Sequence, residues 1–235
     1  MAMVAIKMRR LWVEGLRRKP NAKNAGTVKP VTSLNGIASR EILKARELDP
    51  LSLVINGLVG FIHMRARQYD RAIAECHKAI ELDPNHPFGH WLLARSLDAA
   101  DQAKDALGEA RAAAKLSGYR PPYSSHLGYA FARAGQLDAA KKVLEALGER
   151  RKTEYVSPYD FAHIYVALGE TDLAFDWLDK SFQERTPQLS GDLWEPIFDQ
   201  LRHHSLILVS HPPNWPCSSA VTRINSQMLP STTKR

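Results

Sequence analysis

Apolar residues recur at helical spacing through the middle of the chain, and a short polar or glycine-bearing break interrupts them at regular intervals. The pattern predicts helices near 53–66, 69–82, 87–99, 103–116, 121–134, 137–149, 156–168 and 171–185. The phrase "ARELDP", closing at Pro50, returns as "AIELDP", closing at Pro84, so the pattern has a 34-residue period. With residue 53 as position one, units restart at 87, 121 and 155. Each unit is a helix, a break and a second helix, and a lone pair of that kind must stack on its neighbours to bury its apolar stripe.

Side-chain size follows the same register. Position eight holds Gly60, Ala94, Gly128 and Ala162, and position twenty holds Ala72, Ala106, Ala140 and Ala174. Two helices that cross closely need small residues where their backbones meet, so these columns mark the contact inside each hairpin. Larger residues fill the adjoining holes: Val59, Leu93, Leu127 and Phe161 at position seven, and Cys76, Ala110, Leu144 and Leu178 at position twenty-four. The breaks "RQYDRA", "ADQAKDA", "AGQLDAA" and "LGETDLA" place Asp or Thr, including Asp138 and Asp172, where a helix cap is expected.

This period, with the small columns and the stretches "YDRAIAECHKAIELDP" and "LGYAFARAGQLDAA", resembles the tetratricopeptide repeat over roughly residues 37–186. The resemblance implies an all-α fold: a right-handed α-solenoid of stacked antiparallel helix pairs, about four repeats plus a partial first unit. The partial unit is the helix "NGIASREILKARELDP". Further on, "YVSPYDFAHIYVALGETDLAFDWLDKSFQER" followed by "LWEPIFDQLR" resembles C-terminal arrays of bacterial signalling proteins, where such repeats follow a winged-helix domain or a Ser/Thr kinase. Those arrays close with a "DPRF" helix, whereas here "LR" is followed by "HHSLILVSHPPNWPCSSAVTRINSQMLPSTTKR", which has no helical period. The expectation is therefore a piece of a longer regulatory array. The divisions read as a basic, mostly disordered leader over 1–36, the array over 37–186, a capping segment over 187–205 and a disordered tail over 206–235.

Charge changes this picture only locally. The net +7 lies in residues 1–30, which hold eight basic side chains against Glu14 alone; the other 205 residues balance 24 basic with 24 acidic. A basic leader with few aromatic residues argues against nucleic-acid binding, and "SLILVS" is far too short to cross a membrane. Two cysteines far apart, Cys76 and Cys217, give no disulfide framework and fit a reducing cytoplasm.

One stretch raises a chemical question. "ECHKAIELDPNHPFGH" packs Cys76, His77, His86 and His90 together, as a zinc site might require. On a helix, however, Cys76 points inward and His77 about 100° away, while His86 falls in the turn between units. Structural roles for Cys76 and His90 follow. The chain lacks a Gly-rich phosphate loop, HExxH, GxSxG and CxxC, so no enzyme activity, cofactor, metal or small-molecule substrate is expected.

What remains is binding. In the resembled fold, certain first-helix positions line the concave face, and here they hold Phe88, Trp91, Arg95 and Asp98, then Ser125, Tyr129 and Arg133, then Tyr159 and His163. Rings and guanidinium groups supply large, partly polar contact area, and an arginine clamps a carboxylate with two hydrogen bonds. A protein or peptide partner bearing acidic or aromatic residues is expected. Taken singly, Trp91 and Tyr129 also suit packing between repeats, and Arg95 suits a pair with Asp98 one turn on.

Overall fold

The computed structural model describes residues 32–190 and 195–202. The leader as far as residue 31, the tail over 206–235 and Cys217 lie outside the described residues. Among the described residues, nine helices run in sequence: α1 (Thr32–Leu48), α2 (Leu53–Arg65), α3 (Tyr69–Leu82), α4 (Pro87–Ala99), α5 (Ala103–Leu116), α6 (Pro121–Arg133), α7 (Leu137–Arg151), α8 (Pro158–Leu168) and α9 (Thr171–Gln183). Two 3-10 turns, Pro187–Ser190 and Pro196–Phe198, and a last helical turn, α10 (Asp199–Arg202), follow. No strand occurs among the described residues, and no described helix is long and apolar enough to cross a membrane.

The eight helices read from the pattern form where the period places them, and their ends have local causes. Pro87, Pro121 and Pro158 each occupy the first helical turn, where a missing N–H costs nothing. Helix α8 starts at 158 rather than 156 because Ser157 caps it: its Oγ accepts from the Tyr159 N–H, and the Asp160 carboxylate accepts from the backbone N–H of Ser157. Helix α1 begins at Thr32, inside the segment read as leader.

The second helix of each unit corrects the expected caps. Its N-cap residue is Gln68, Gln102, Gln136 or Glu170, and none makes a side-chain capping bond. Asp70, Asp105, Asp138 and Asp172 instead lie within the first turn. There a carboxylate stabilises the helix through the partial positive charge of its free N–H groups. The residue before each N-cap has positive φ: Arg67 at 63°, Asp101 at 62°, Gly135 at 77° and Gly169 at 76°. Glycine is unstrained there, but a side chain costs roughly 1–2 kcal/mol.

Successive helices pack as antiparallel neighbours, and the first helices α2, α4, α6 and α8 also touch one another in turn, forming one face of the stack. The small columns are the hairpin contacts: Ala72, Ala94, Ala106, Ala140, Ala162 and Ala174 are all 0% exposed. At Gly60 a Cβ would sit 2.6 Å from the Cys76 Sγ and 3.1 Å from the Ala72 carbonyl oxygen, so only glycine lets α2 and α3 approach this closely. The core is accordingly a chain of small clusters, one for each junction. The last is completed from beyond the array, since Phe198 and Leu201 bury themselves against Val166, Ala174 and Leu178.

Candidate functional site

The face made by the first helices is lined at position nine by Phe61, Arg95, Tyr129 and His163. Tyr129 lies between two imidazoles, with ring centroids 5.6 Å from His126 and 4.8 Å from His163, both near-parallel. Tyr159 continues the stack, 6.1 Å beyond His163. Ser125 donates through Oγ to the Asp160 carbonyl at 2.8 Å, so at 3.1 Å it accepts from the Nδ1–H of His163. That tautomer leaves Nε2 of His163 without a proton and without a hydrogen-bond partner.

Burial decides the ionisation of this face. It lowers the pKa of His163 well below its usual value, helped by His126 and Arg95, and it lowers that of His126 despite Asp98. Both imidazoles are therefore neutral near pH 7. Asp160, buried and only partly compensated by the Ser157 N–H, is pushed up to about 7. Burial, with Asp98 adding to it, likewise raises the Tyr129 hydroxyl.

Beside the ring stack lies a pocket of about 330 Å³, between the end of α2, the Arg67 turn, α4 and α6. The chain itself forms the opposite wall: residues 195–199 return across the stack after α9. The Glu195 carboxylate, 1% exposed, forms an ion pair with the guanidinium of Arg95, 6% exposed. Arg95 in turn lies over the ring of Trp91, 4.4 Å from its centroid, and 5.6 Å from that of Phe61. Arg67 holds Asp199 through two hydrogen bonds, with Nη2–H donating to Oδ1 at 2.8 Å, and this contact raises the arginine's pKa. Phe198 meets the Tyr159 ring edge-on at 5.6 Å. At the rim, Arg133 pairs with Asp101 at 2.5 Å in an exposed setting.

Also in the pocket wall, Asp98, 7% exposed, and His126, 1% exposed, face each other with Nε2 3.1 Å from a carboxylate oxygen.

Of the residues singled out in the sequence, Arg95, Asp98, Tyr129 and Arg133 line this pocket. Phe88 and Trp91 lie half-buried beside it, 5.8 Å apart, and Trp91 meets Tyr123 of the next unit at 5.9 Å. Ser125, Tyr159 and His163 are buried in the ring and hydrogen-bond network behind it. The carboxylate that Arg95 meets is Glu195, not Asp98 one turn along its own helix. Sequence reasoning missed Arg67, Asp101, His126, Glu195 and Asp199. A charged residue set inside the apolar run "LWEPIF" was the available signal for Glu195.

The cysteine and histidine stretch resolves into packing. Cys76 is fully buried, its Sγ 3.8 Å from the Ser96 hydroxyl, and burial pushes its thiol up to about 12. His77 faces outward. His90 ties the turn to two helices, with Nδ1 2.6 Å from Glu109 and Nε2 2.8 Å from the Pro84 carbonyl. No three metal-ligating side chains converge among the described residues.

Helix pairs at a constant period, stacked through small residues at fixed positions, define a helical-repeat solenoid. The family model of the tetratricopeptide repeat matches residues 57–86, the α2–α3 hairpin with the turn into α4, and three further helix pairs follow it at the same spacing. Among solved structures the chain is similar to a crystal structure of MamA, at 18% identity over 71% of this chain and 98% of that one, TM-score 0.43. It is also similar to YrrB, described as a TPR protein with an unusual peptide-binding site, at 20% identity over 71% of this chain and 91% of that one, TM-score 0.42. A search of the curated proteins finds no match. Repeat arrays of this class serve in general as scaffolds for protein interaction.

Proposed function

We propose that the array binds a segment of a partner protein on the face formed by its first helices, with Arg95 at the centre of the contact. The observation that carries this reading is that the face already receives polypeptide. Residues 195–199 lie on it through an ion pair at Arg95, a second at Arg67 and a ring contact at Tyr159. Phe88, Trp91, Asp98, Tyr129 and Arg133 supply the remaining rings and polar groups, with Ser125 and His163 buried behind Tyr129 as its support, and the half-buried aromatic residues next to a guanidinium have the composition of an interaction hot spot.

Site-specific photo-crosslinking tests it. A crosslinking residue in place of Arg133, at the pocket rim, captures a partner protein in cells; one in place of the outward-facing Lys78 does not. With the partner in hand, Arg133→Glu weakens binding by at least about tenfold, roughly 1.4 kcal/mol, and Lys78→Glu changes it little. Equal capture from both positions overturns the reading.

A further inference from the structure

The return of residues 195–199 gives the groove's ligand a chemistry. Both arginines are set as carboxylate receptors by features of the array itself. Rings of Trp91 and Phe61 hold the guanidinium of Arg95, and a left-handed backbone residue presents Arg67. Of the four equivalent turns, the third and fourth place Gly135 and Gly169 at this position, while the two that border the pocket carry Arg67 and Asp101 in the same strained conformation. Charge is thus kept at the pocket where backbone geometry favours glycine.

The chain's own segment supplies carboxylates to both receptors, Glu195 to Arg95 and Asp199 to Arg67. A buried ion pair regains in attraction only part of what desolvation costs, and a half-exposed pair contributes little. An incoming segment with the same two carboxylates would replace both pairs like for like, and its ring would replace Phe198 against Tyr159.

Building on the groove reading above, we propose that Glu195–Asp199 is a resident ligand held in cis, and that the partner's segment competes with it. That segment carries the same pattern: a carboxylate, an aromatic residue three positions on and a second carboxylate immediately after it. The groove is accordingly closed at rest and opens to a competitor with this chemistry.

The test uses the full chain and a fluorescein-labelled peptide of residues 195–202, EPIFDQLR, followed by fluorescence anisotropy. The wild-type chain binds the peptide weakly. The E195Q/D199N variant, which keeps side-chain size but gives up both cis carboxylates, binds it at least about tenfold more tightly. Adding R95Q removes that gain, and the peptide QPIFNQLR gains nothing from any variant. D199N alone, at a half-exposed position, is the milder control, and circular dichroism verifies that each variant keeps its helix content. Equal, Arg95-dependent affinity for wild type and variant overturns cis occupancy and leaves the groove reading standing. Binding that ignores Arg95 overturns both. No binding to any form overturns the proposed ligand chemistry, and the crosslinking result then decides the groove on its own.

Discussion

Two neighbouring columns of the same helices behave in opposite ways. Position eight is Gly60, Ala94, Gly128 and Ala162, small in every unit, whereas position nine, one residue on, is Phe61, Arg95, Tyr129 and His163, different in every unit. Residue eight is closely walled in, Gly60 by the second helix of its own hairpin and Gly128 by Ile164 of the next unit as well as Val143 of its own, which leaves space only for a small side chain. Residue nine lies on the side shared by the first helices, where Arg95 meets the 195–199 segment and Tyr129 lines the pocket beside it. Uniform columns report the fold, and the irregular column beside them reports what the fold holds.

Each side of that contrast can be broken. The largest effect belongs to the uniform side. Ala106→Arg or Ala140→Arg puts a long charged group between two helices at a fully buried site, costing several kcal/mol through overpacking and an unpaired buried charge. Thermal denaturation followed by far-UV circular dichroism should show a markedly lower midpoint, and an unchanged midpoint contradicts the register. On the irregular side, Arg95→Ala leaves the Glu195 carboxylate buried without its arginine and costs about 3–5 kcal/mol, while Arg95→Met combined with Glu195→Leu restores most of that loss. If chemical denaturation gives the double variant no recovery over the single one, the pair is not coupled as described.

The smallest effect is a pH dependence confined to the groove side. The carboxyl of Asp160 has its pKa raised from 3.8 to about 7 by burial, so the folded chain holds this proton more tightly than the unfolded chain does. Its contribution is greatest below about pH 4, declines as pH rises and levels off above about 7. His126 and His163, with lowered pKa values, act in the reverse sense and cost stability as pH falls below 6.5. Asp160→Asn removes only the first contribution, so relative to wild type it should gain about 2–3 kcal/mol between pH 5 and pH 8. A constant difference between the two proteins across that range, measured by urea denaturation, argues against a buried, proton-holding Asp160.

How much of this was legible in the sequence follows from range. Helix boundaries, the hairpin contacts and the inward Cys76 depend on neighbours within a unit, so a period and a size pattern suffice to find them. The position of Asp138 and Asp172 one step inside the helix, rather than at its cap, escaped because a carboxylate is favourable at either place and the sequence does not separate them. Arg95, Asp98, Tyr129 and Arg133 stand at positions that the resemblance to the repeat assigns to the concave face, and they line the pocket, but the carboxylate that Arg95 meets is not given by that resemblance. Arg67 meets Asp199 across 132 residues, and Arg95 meets Glu195 from a different unit altogether. No local pattern encodes which carboxylate returns to which arginine. Arg67 and Asp101 were passed over for another reason, since they look like turn residues until their positive φ is seen beside the glycines of the other two turns.

The returning segment also changes what kind of folding unit this is. An open array of repeats is held by nearest-neighbour contacts, so its terminal units fray independently and its unfolding spreads from the ends. Here Asp199 is fastened to the first complete hairpin while Phe198 is seated in the last, which joins the two ends of the line. The amides of α2 and α9 should therefore exchange with solvent together, in one cooperative opening, and a ligand that lifts the segment would return the array to piecemeal breathing as it binds.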